Sequence, residues 1–202
     1  MKLLHKNFLT RNLVPICQGA NVWDFCCGTG MNGLFALEHG AEQVTFSDVR
    51  QQTMLDYAKQ IPTGCVWKYF DADQIDQYKP DIPTDNLDII LYCGHFYHAR
   101  NHYEIAKMLT ATSAQHLIIE TKIYTETDAE MIMTWSMEDT EEVWWNTFEE
   151  GKSKTLVGAP NKLLTKQIFT NLGWKLTDQE SEFDNSMELF KHYFLFTKTC
   201  SK

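Results

Sequence analysis

The sequence predicts an α/β protein: a doubly wound, mostly parallel seven-stranded sheet with an antiparallel C-terminal hairpin strand. Three observations predict it. Short apolar runs alternate with stretches of helical spacing from residue 21 to residue 121. The run at 86–93 (NLDIILYC) is apolar along nearly its whole length, as a central parallel strand covered on both faces requires. A glycine-rich turn follows the first apolar run, where a strand hands over to a helix.

Each element follows in order. Residues 21–25 (NVWDF) form a compact apolar strand, and residues 31–39 a helix with Met31, Leu34, Phe35 and Leu37 inward and Gly40 as its C-terminal cap. Residues 43–47 are the second strand, and 50–60 carry helical spacing through Met54, Leu55 and Ala58. Residues 65–70 and 86–93 are strands three and four, 101–111 a helix and 115–121 the fifth strand. Strands alternating with helices imply right-handed βαβ crossovers.

At 123–158 the rhythm breaks into an acidic, aromatic insert, a possible lid or substrate pocket within a single domain spanning 1–202. Its apolar residues fall at helical spacing (Met131, Trp135 and Met137; Val143, Trp144 and Phe148), which predicts an acidic helical face docked by its tryptophans, Trp145 included. The alternative is a cover whose tryptophans exclude water from a bound acceptor. Pro160 then opens a helix over 161–172 that stops at Gly173. Residues 174–179 and 189–197 are two last strands, and polar residues around them (Ser186, Glu188, Lys191) place an antiparallel hairpin at the sheet edge.

Composition narrows the partners. At 202 residues the chain can bury one substantial core. No apolar run approaches the ~20 residues that span a bilayer, and the first residues lack a signal-peptide core. Cys17, Cys26, Cys27, Cys65, Cys93 and Cys200 show neither a CxxC pair nor zinc spacing, so reduced, mostly buried thiols of a cytoplasmic protein without a metal are expected. The net charge of −9 sits in one place: residues 124–150 hold nine acids and no Lys or Arg, while the rest holds 18 acids and 18 bases. Nucleic acid binding wants clustered cations, and their lack argues against that partner and for a small molecule.

The chemistry concentrates at Asp24-Phe25-Cys26-Cys27-Gly28-Thr29-Gly30-Met31-Asn32-Gly33. Glycines between strand and helix let a ligand approach the backbone. A dinucleotide turn would read G-x-G-x-x-G, but its first glycine would here be Cys26, and Asp24 would repel a pyrophosphate. Asp24 suits an ammonium, and S-adenosyl-L-methionine offers an ammonium and no phosphate. Asp48 ends the second strand 18 residues after Gly30, where an acid can accept both ribose hydroxyls. Asp71 follows the third strand and could accept from an adenine amino group. Taken singly, Asp24 and Asp48 could instead cap the helices that follow them; three strand-ending acids on one sheet edge point to a ligand.

These stretches resemble the class I S-adenosylmethionine-dependent methyltransferases, whose sheet is Rossmann-like. DFCCGTG is similar to their D-x-G-x-G-x-G motif with Cys26 at the first glycine. VTFSD resembles the strand-two acid motif, FDAD the adenine-contact motif, LDIILYCGHFYH the fourth-strand segment and GWKL … HYFLFTK the C-terminal hairpin. The resemblance covers residues 20–198. It implies that Asp24, Gly28 and Gly30 line the methionine part, Asp48 the ribose, and Asp71 with Ala72 the adenine. Cys26, Val49 and Cys93, flanking these positions, complete the expected lining.

The segment Gly94-His95-Phe96-Tyr97-His98-Ala99-Arg100 is also similar to the fourth-strand loop of tRNA uridine carboxymethyltransferases and of several small-molecule O-methyltransferases. The tRNA enzymes have a large N-terminal extension and a basic surface, both different here. No Asn/Asp-Pro-Pro-Tyr/Phe loop follows strand four, which argues against methylation of a base amino group or a glutamine. His98 is the candidate general base, with His95 and Tyr97 beside it, because imidazole titrates near neutral pH; packing or capping the next helix is the alternative. Two further readings remain: a non-catalytic cofactor-binding or partner subunit, and a nicotinamide-dependent oxidoreductase.

Overall fold

The computed structural model describes residues 6–49, 65–72, 74–78, 82–123, 129–139, 154–184 and 189–199. The helix expected over 50–60, and Val143, Trp144, Trp145 and Phe148 of the insert, lie outside them.

Seven strands form the main sheet: β1 Asn21–Phe25, β2 Gln43–Asp48, β3 Val66–Tyr69, β4 Ile89–Cys93, β5 His116–Ile123, β8 Trp174–Asp184 and β9 Leu189–Lys198, with β6 and β7 described below. Their order is β3-β2-β1-β4-β5-β9-β8. The first five are mutually parallel, and β9 enters antiparallel between β5 and β8. The expected doubly wound, mostly parallel sheet with its antiparallel C-terminal hairpin is therefore present. The helices are α1 Lys6–Asn12, α2 Val14–Cys17, α3 Met31–Glu38, α4 Ile75–Tyr78, α5 His102–Thr110 and α6 Lys162–Asn171. None of the described helices is long and apolar enough to cross a membrane.

Alternation along the strands divides the core in two. Trp23, Phe25, Ile90, Tyr92, Leu117 and Ile119 face one side, packed with α5 and α6. Val22, Ile89, Leu91, Cys93 and Ile118 face the other, with α1, α2 and α3. Every residue of β4 is buried, as its unbroken apolar run requires. The N-terminal helices have no counterpart among the expected elements. They close the second core through Phe8, Leu9, Leu13 and Cys17, and Phe8 stacks on Tyr193 at 5.5 Å.

Three local expectations need correction. Helix α3 buries Asn32, Gly33, Phe35 and Ala36, while Met31, Leu34 and Leu37 are only half-buried. Gly33 sets this face: a Cβ there would lie 2.9 Å from Val44 Cγ1, so its absence lets the helix settle onto β2. The described part of the insert is not a docked helical face. Met133–Asp139 (β6) pairs antiparallel with Lys154–Pro160 (β7) in a separate two-stranded sheet. Met133, Trp135 and Met137 obey period two, although Met131, Trp135 and Met137 suggested a helix, and Trp135 is 52% exposed rather than docked. Val157 and Ala159, on the opposite face, are buried. Finally, Asn161 rather than Pro160 starts α6: its side chain accepts from Leu164 N at 2.9 Å and donates to the Glu130 carbonyl at 2.7 Å.

Candidate functional site

The turn after β1 is built from left-handed residues. Cys26, Gly28 and Gly30 have φ of 54°, 57° and 73°. Cys26 thus holds a conformation that favours glycine, at the position where the resemblance places one. Cys26 faces the first core and Cys27 the second, so the adjacent thiols diverge. The Gly28 N–H donates to Asp48 Oδ2 at 2.7 Å, and the Cys27 N–H to the Ser47 carbonyl at 2.9 Å. The end of β2 therefore fixes the turn of β1.

Asp24 is fully buried. Its Oδ2 accepts the Gly33 N–H of α3 at 2.8 Å, so it does cap the helix that follows it. Its Oδ1 is also buried and has no hydrogen-bond partner among the described residues. Burial pushes the carboxyl well above the ordinary carboxylate range; the Gly33 N–H opposes that shift and the Asp48 charge adds to it. Capping accounts for one oxygen and leaves the other.

The remaining cofactor candidates lie along the same sheet edge. Val49 follows Asp48 and is half-buried. Asp71 and Ala72 are buried just past β3, where Asp71 accepts from Gln74 Nε2 at 3.2 Å. Cys93 ends β4, its thiol pushed well up by burial and then by the charges of Glu120 and Asp24. Asp24, Cys26, Gly28, Gly30, Asp48, Val49, Asp71, Ala72 and Cys93 thus occupy the C-terminal ends of four adjacent parallel strands. Ligands of open α/β sheets bind at this edge.

Beyond β4, Gly94 (φ 88°) turns the chain into a 3-10 turn, Phe96–His98. Phe96 anchors it in the core, and the Tyr92 hydroxyl hydrogen-bonds His95 Nδ1 at 2.8 Å. His95 thereby helps hold the turn. His98 is half-buried, its ring 4.0 Å from that of Tyr97, and Lys122 Nζ lies 4.4 Å from the Tyr97 ring centre.

His102, at the start of α5, is a residue the sequence reasoning missed. Its Nε2 lies 2.9 Å from the Phe96 carbonyl and 2.7 Å from the Gly158 carbonyl, so Nε2 carries the proton. Burial lowers its proton affinity, so the ring is favoured neutral. The Gly158 N–H also donates to the Ala99 carbonyl at 3.2 Å. A Cβ on Gly158 would approach Met133, Trp135 and His102 within 3.1 Å. His102 and Gly158 together clip strand β7 onto the turn that bears His98. No local motif announces this, because the partners are 56 residues apart. Among the described residues no group of His, Cys, Asp and Glu is arranged to hold a metal.

This architecture is the class I S-adenosylmethionine-dependent methyltransferase fold. The chain is similar to an S-adenosylmethionine-dependent methyltransferase from Mesorhizobium loti, with a TM-score of 0.72, 14% identity and coverage of 96% of this chain and 97% of that one. Magnesium protoporphyrin IX methyltransferase from Synechocystis PCC 6803, solved with bound SAH, has a TM-score of 0.64 at 13% identity, with 96% and 80% covered. The [4+2]-cyclase SpnF has a TM-score of 0.69 at 10% identity, with 98% and 81% covered. No family model and no curated protein sequence matches the chain.

Proposed function

We propose that this protein binds S-adenosylmethionine and methylates a small-molecule acceptor. The observation that carries the reading is Asp24: a buried carboxylate in the methyltransferase fold, with one oxygen committed to α3 and the other without a partner among the described residues. A buried acceptor atom without a donor is costly, and an ammonium supplies one. The amino-acid end of S-adenosylmethionine carries that group. Solved neighbours of the same fold were crystallised with SAM or SAH, which supports the choice.

The remaining lining divides by chemistry. Asp48 holds the ribose hydroxyls while its Oδ2 keeps the Gly28 N–H. Asp71 and Ala72 take the adenine, and Val49 and Cys93 pack beside the cofactor. Gly28 and Gly30 let it approach the backbone. When bound, S-adenosylmethionine would supply an electrophilic methyl group open to in-line attack by the acceptor, with S-adenosylhomocysteine as the leaving group, so positioning and exclusion of water provide most of the acceleration. His98 is the general base if the acceptor, a hydroxyl or an amine, must lose a proton. Tyr97 and His95 position it. The β6–β7 hairpin, clipped by His102, covers the acceptor side.

A second reading, cofactor binding without methyl transfer, has one supporting observation: SpnF is a cyclase with this fold. Calorimetric titration with S-adenosylmethionine and S-adenosylhomocysteine, with NAD as control, tests the main proposal. Micromolar binding of the first two, lost in Asp48→Ala, is expected; binding of NAD alone, or of none, rejects it. Methylation of a screened acceptor, lost in His98→Ala, separates transfer from mere binding.

A further inference from the structure

We infer that two copies of this chain associate through the outer edge of β6, pairing antiparallel about Trp135. The phase of the backbone carries the first step. Gly158 turns its N–H to the Ala99 carbonyl and its own carbonyl to His102, both away from β6. Trp135 lies directly opposite Gly158, so the two form a non-hydrogen-bonded pair and Trp135 turns its N–H and C=O outward, away from β7. By period two Met133 and Met137 do the same. No described strand pairs with that edge.

The side chains along it are apolar. Met137 is 57% exposed, and Leu156, opposite it on β7, is 48% exposed. With Trp135 they form one apolar patch on the ribbon. β8, at the edge of the main sheet, carries Lys175, Asp178, Glu180 and Glu182 and a bulge between Leu176 and Asp178, devices that deter pairing. The stretch Met133–Met137 has no charge, no proline and no register shift.

Met133-Thr134-Trp135-Ser136-Met137 is close to a palindrome, and this identifies the occupant as a second copy. Paired antiparallel about Trp135, it sets Met133 opposite Met137 of the second copy, Thr134 opposite Ser136, and Trp135 opposite Trp135. Apolar, hydroxyl and aromatic pairs are favourable cross-strand combinations. The three positions with outward backbone groups then meet one another, so each pair exchanges both N–H···O bonds. Charge agrees, because the positions of Glu138 and Asp139 fall opposite Ile132 and Met131 of the second copy and not opposite acids. The seam covers on the order of 400 Å² per copy, short of a permanent dimer, so the association is weak and depends on concentration. It closes at two copies, because the far edge of β7 is taken up by Ala99 and His102.

Sedimentation of the full chain from about 1 μM to about 1 mM tests this, and a monomer–dimer equilibrium with a dissociation constant of roughly 10–100 μM is expected. Met137→Lys places a cation on an exposed edge position and enters a two-fold interface twice, so it should weaken the dimer at least about tenfold. Trp135→Cys sets two thiols across the two-fold axis, where the Cα atoms of a hydrogen-bonded pair lie about 5.5 Å apart, within reach of a disulfide. With oxidised glutathione it should yield a disulfide-linked dimer above the background of the native chain. Met131→Cys, at a position 59% exposed but far from its own copy across the seam, should not. The thiol pair reads the register by proximity and keeps the test open if Met137→Lys does not fold. A chain that stays monomeric up to about 1 mM, growth beyond a dimer, a dimer indifferent to Met137→Lys, or equal cross-linking at both positions overturns the inference. Each of these outcomes leaves the proposed function standing.

Discussion

The two halves of the sheet edge are built on different plans. On the β1–β2 side, Asp24, Cys26, Gly28 and Asp48 lie within one strand–turn–helix–strand unit, and backbone N–H groups tie both carboxylates in place. On the β4–β5 side, residues from distant parts of the chain meet: His95 and His98 after β4, His102 on α5, Lys122 on β5, Gly158 on β7 and Lys191 on β9. The first half is a pre-formed cradle fixed by backbone. The second is assembled from side chains on separate elements, one of them a small sheet of its own. On the function proposed above, the cofactor falls to the first plan and the acceptor to the second.

Substitutions should separate the halves. The largest effect is expected in the cradle from Gly33→Ala, which drives a Cβ against Val44 and Phe46. About 1–3 kcal/mol of stability should be lost to overpacking, read as a lower denaturation midpoint. If midpoint and S-adenosylhomocysteine affinity both stay native, α3 is not seated as described.

His102→Ala attacks the other half. It removes the donor to the Phe96 and Gly158 carbonyls and should cost about 1–3 kcal/mol. Methyl transfer should fall while S-adenosylhomocysteine affinity holds within about twofold. Acid should mimic the change. The folded pKa of His102 lies below its unfolded value of 6.5, so the clip contributes fully above that pH. Its contribution is lost as the pH falls below 6.5 and the unfolded chain takes up the proton. Hydrogen exchange of β7 against pH would follow it, and exchange indifferent to pH and to His102→Ala would remove the clip from the account.

Asp24 supplies a linkage in the cradle. Burial raises its folded pKa above 3.8, so protonation of the carboxyl competes with receipt of an ammonium. S-adenosylhomocysteine binding should release a proton and strengthen with pH until the raised pKa is passed. Calorimetry in buffers of different ionisation enthalpy reads this directly, and 5′-methylthioadenosine should show no such release.

Cys26→Gly should have the smallest effect, a stabilisation of under about 1 kcal/mol, because relief of the left-handed conformation at φ 54° is partly offset by glycine's greater unfolded freedom. A destabilised Cys26→Gly variant would mean that the Cys26 side chain packs better than its backbone sits.

The same difference of plan decides how much was legible in the sequence. The succession of strands and helices and the glycine turn after β1 could be read because βαβ units are local, and local spacing encodes them. The β6–β7 sheet could not, since Met131, Trp135 and Met137 fit helical spacing while Met133, Trp135 and Met137 fit a strand. The N-terminal helices are short, and tertiary packing of Phe8 and Leu9 rather than pattern specifies them. Lys122 opposite Lys191 and His102 against Gly158 depend on registers and docking between elements that no single stretch contains.

The most direct measurement compares S-adenosylhomocysteine with 5′-methylthioadenosine on native protein and Asp24→Asn. The Asn carbonyl can still accept the Gly33 N–H, but an amide NH₂ then replaces the oxygen that has no partner among the described residues. S-adenosylhomocysteine should bind roughly 10- to 100-fold more weakly to the variant, with 5′-methylthioadenosine unchanged within about twofold. Equal effects on both ligands, or no effect on either, would contradict an ammonium at Asp24 and with it the assignment of the cradle.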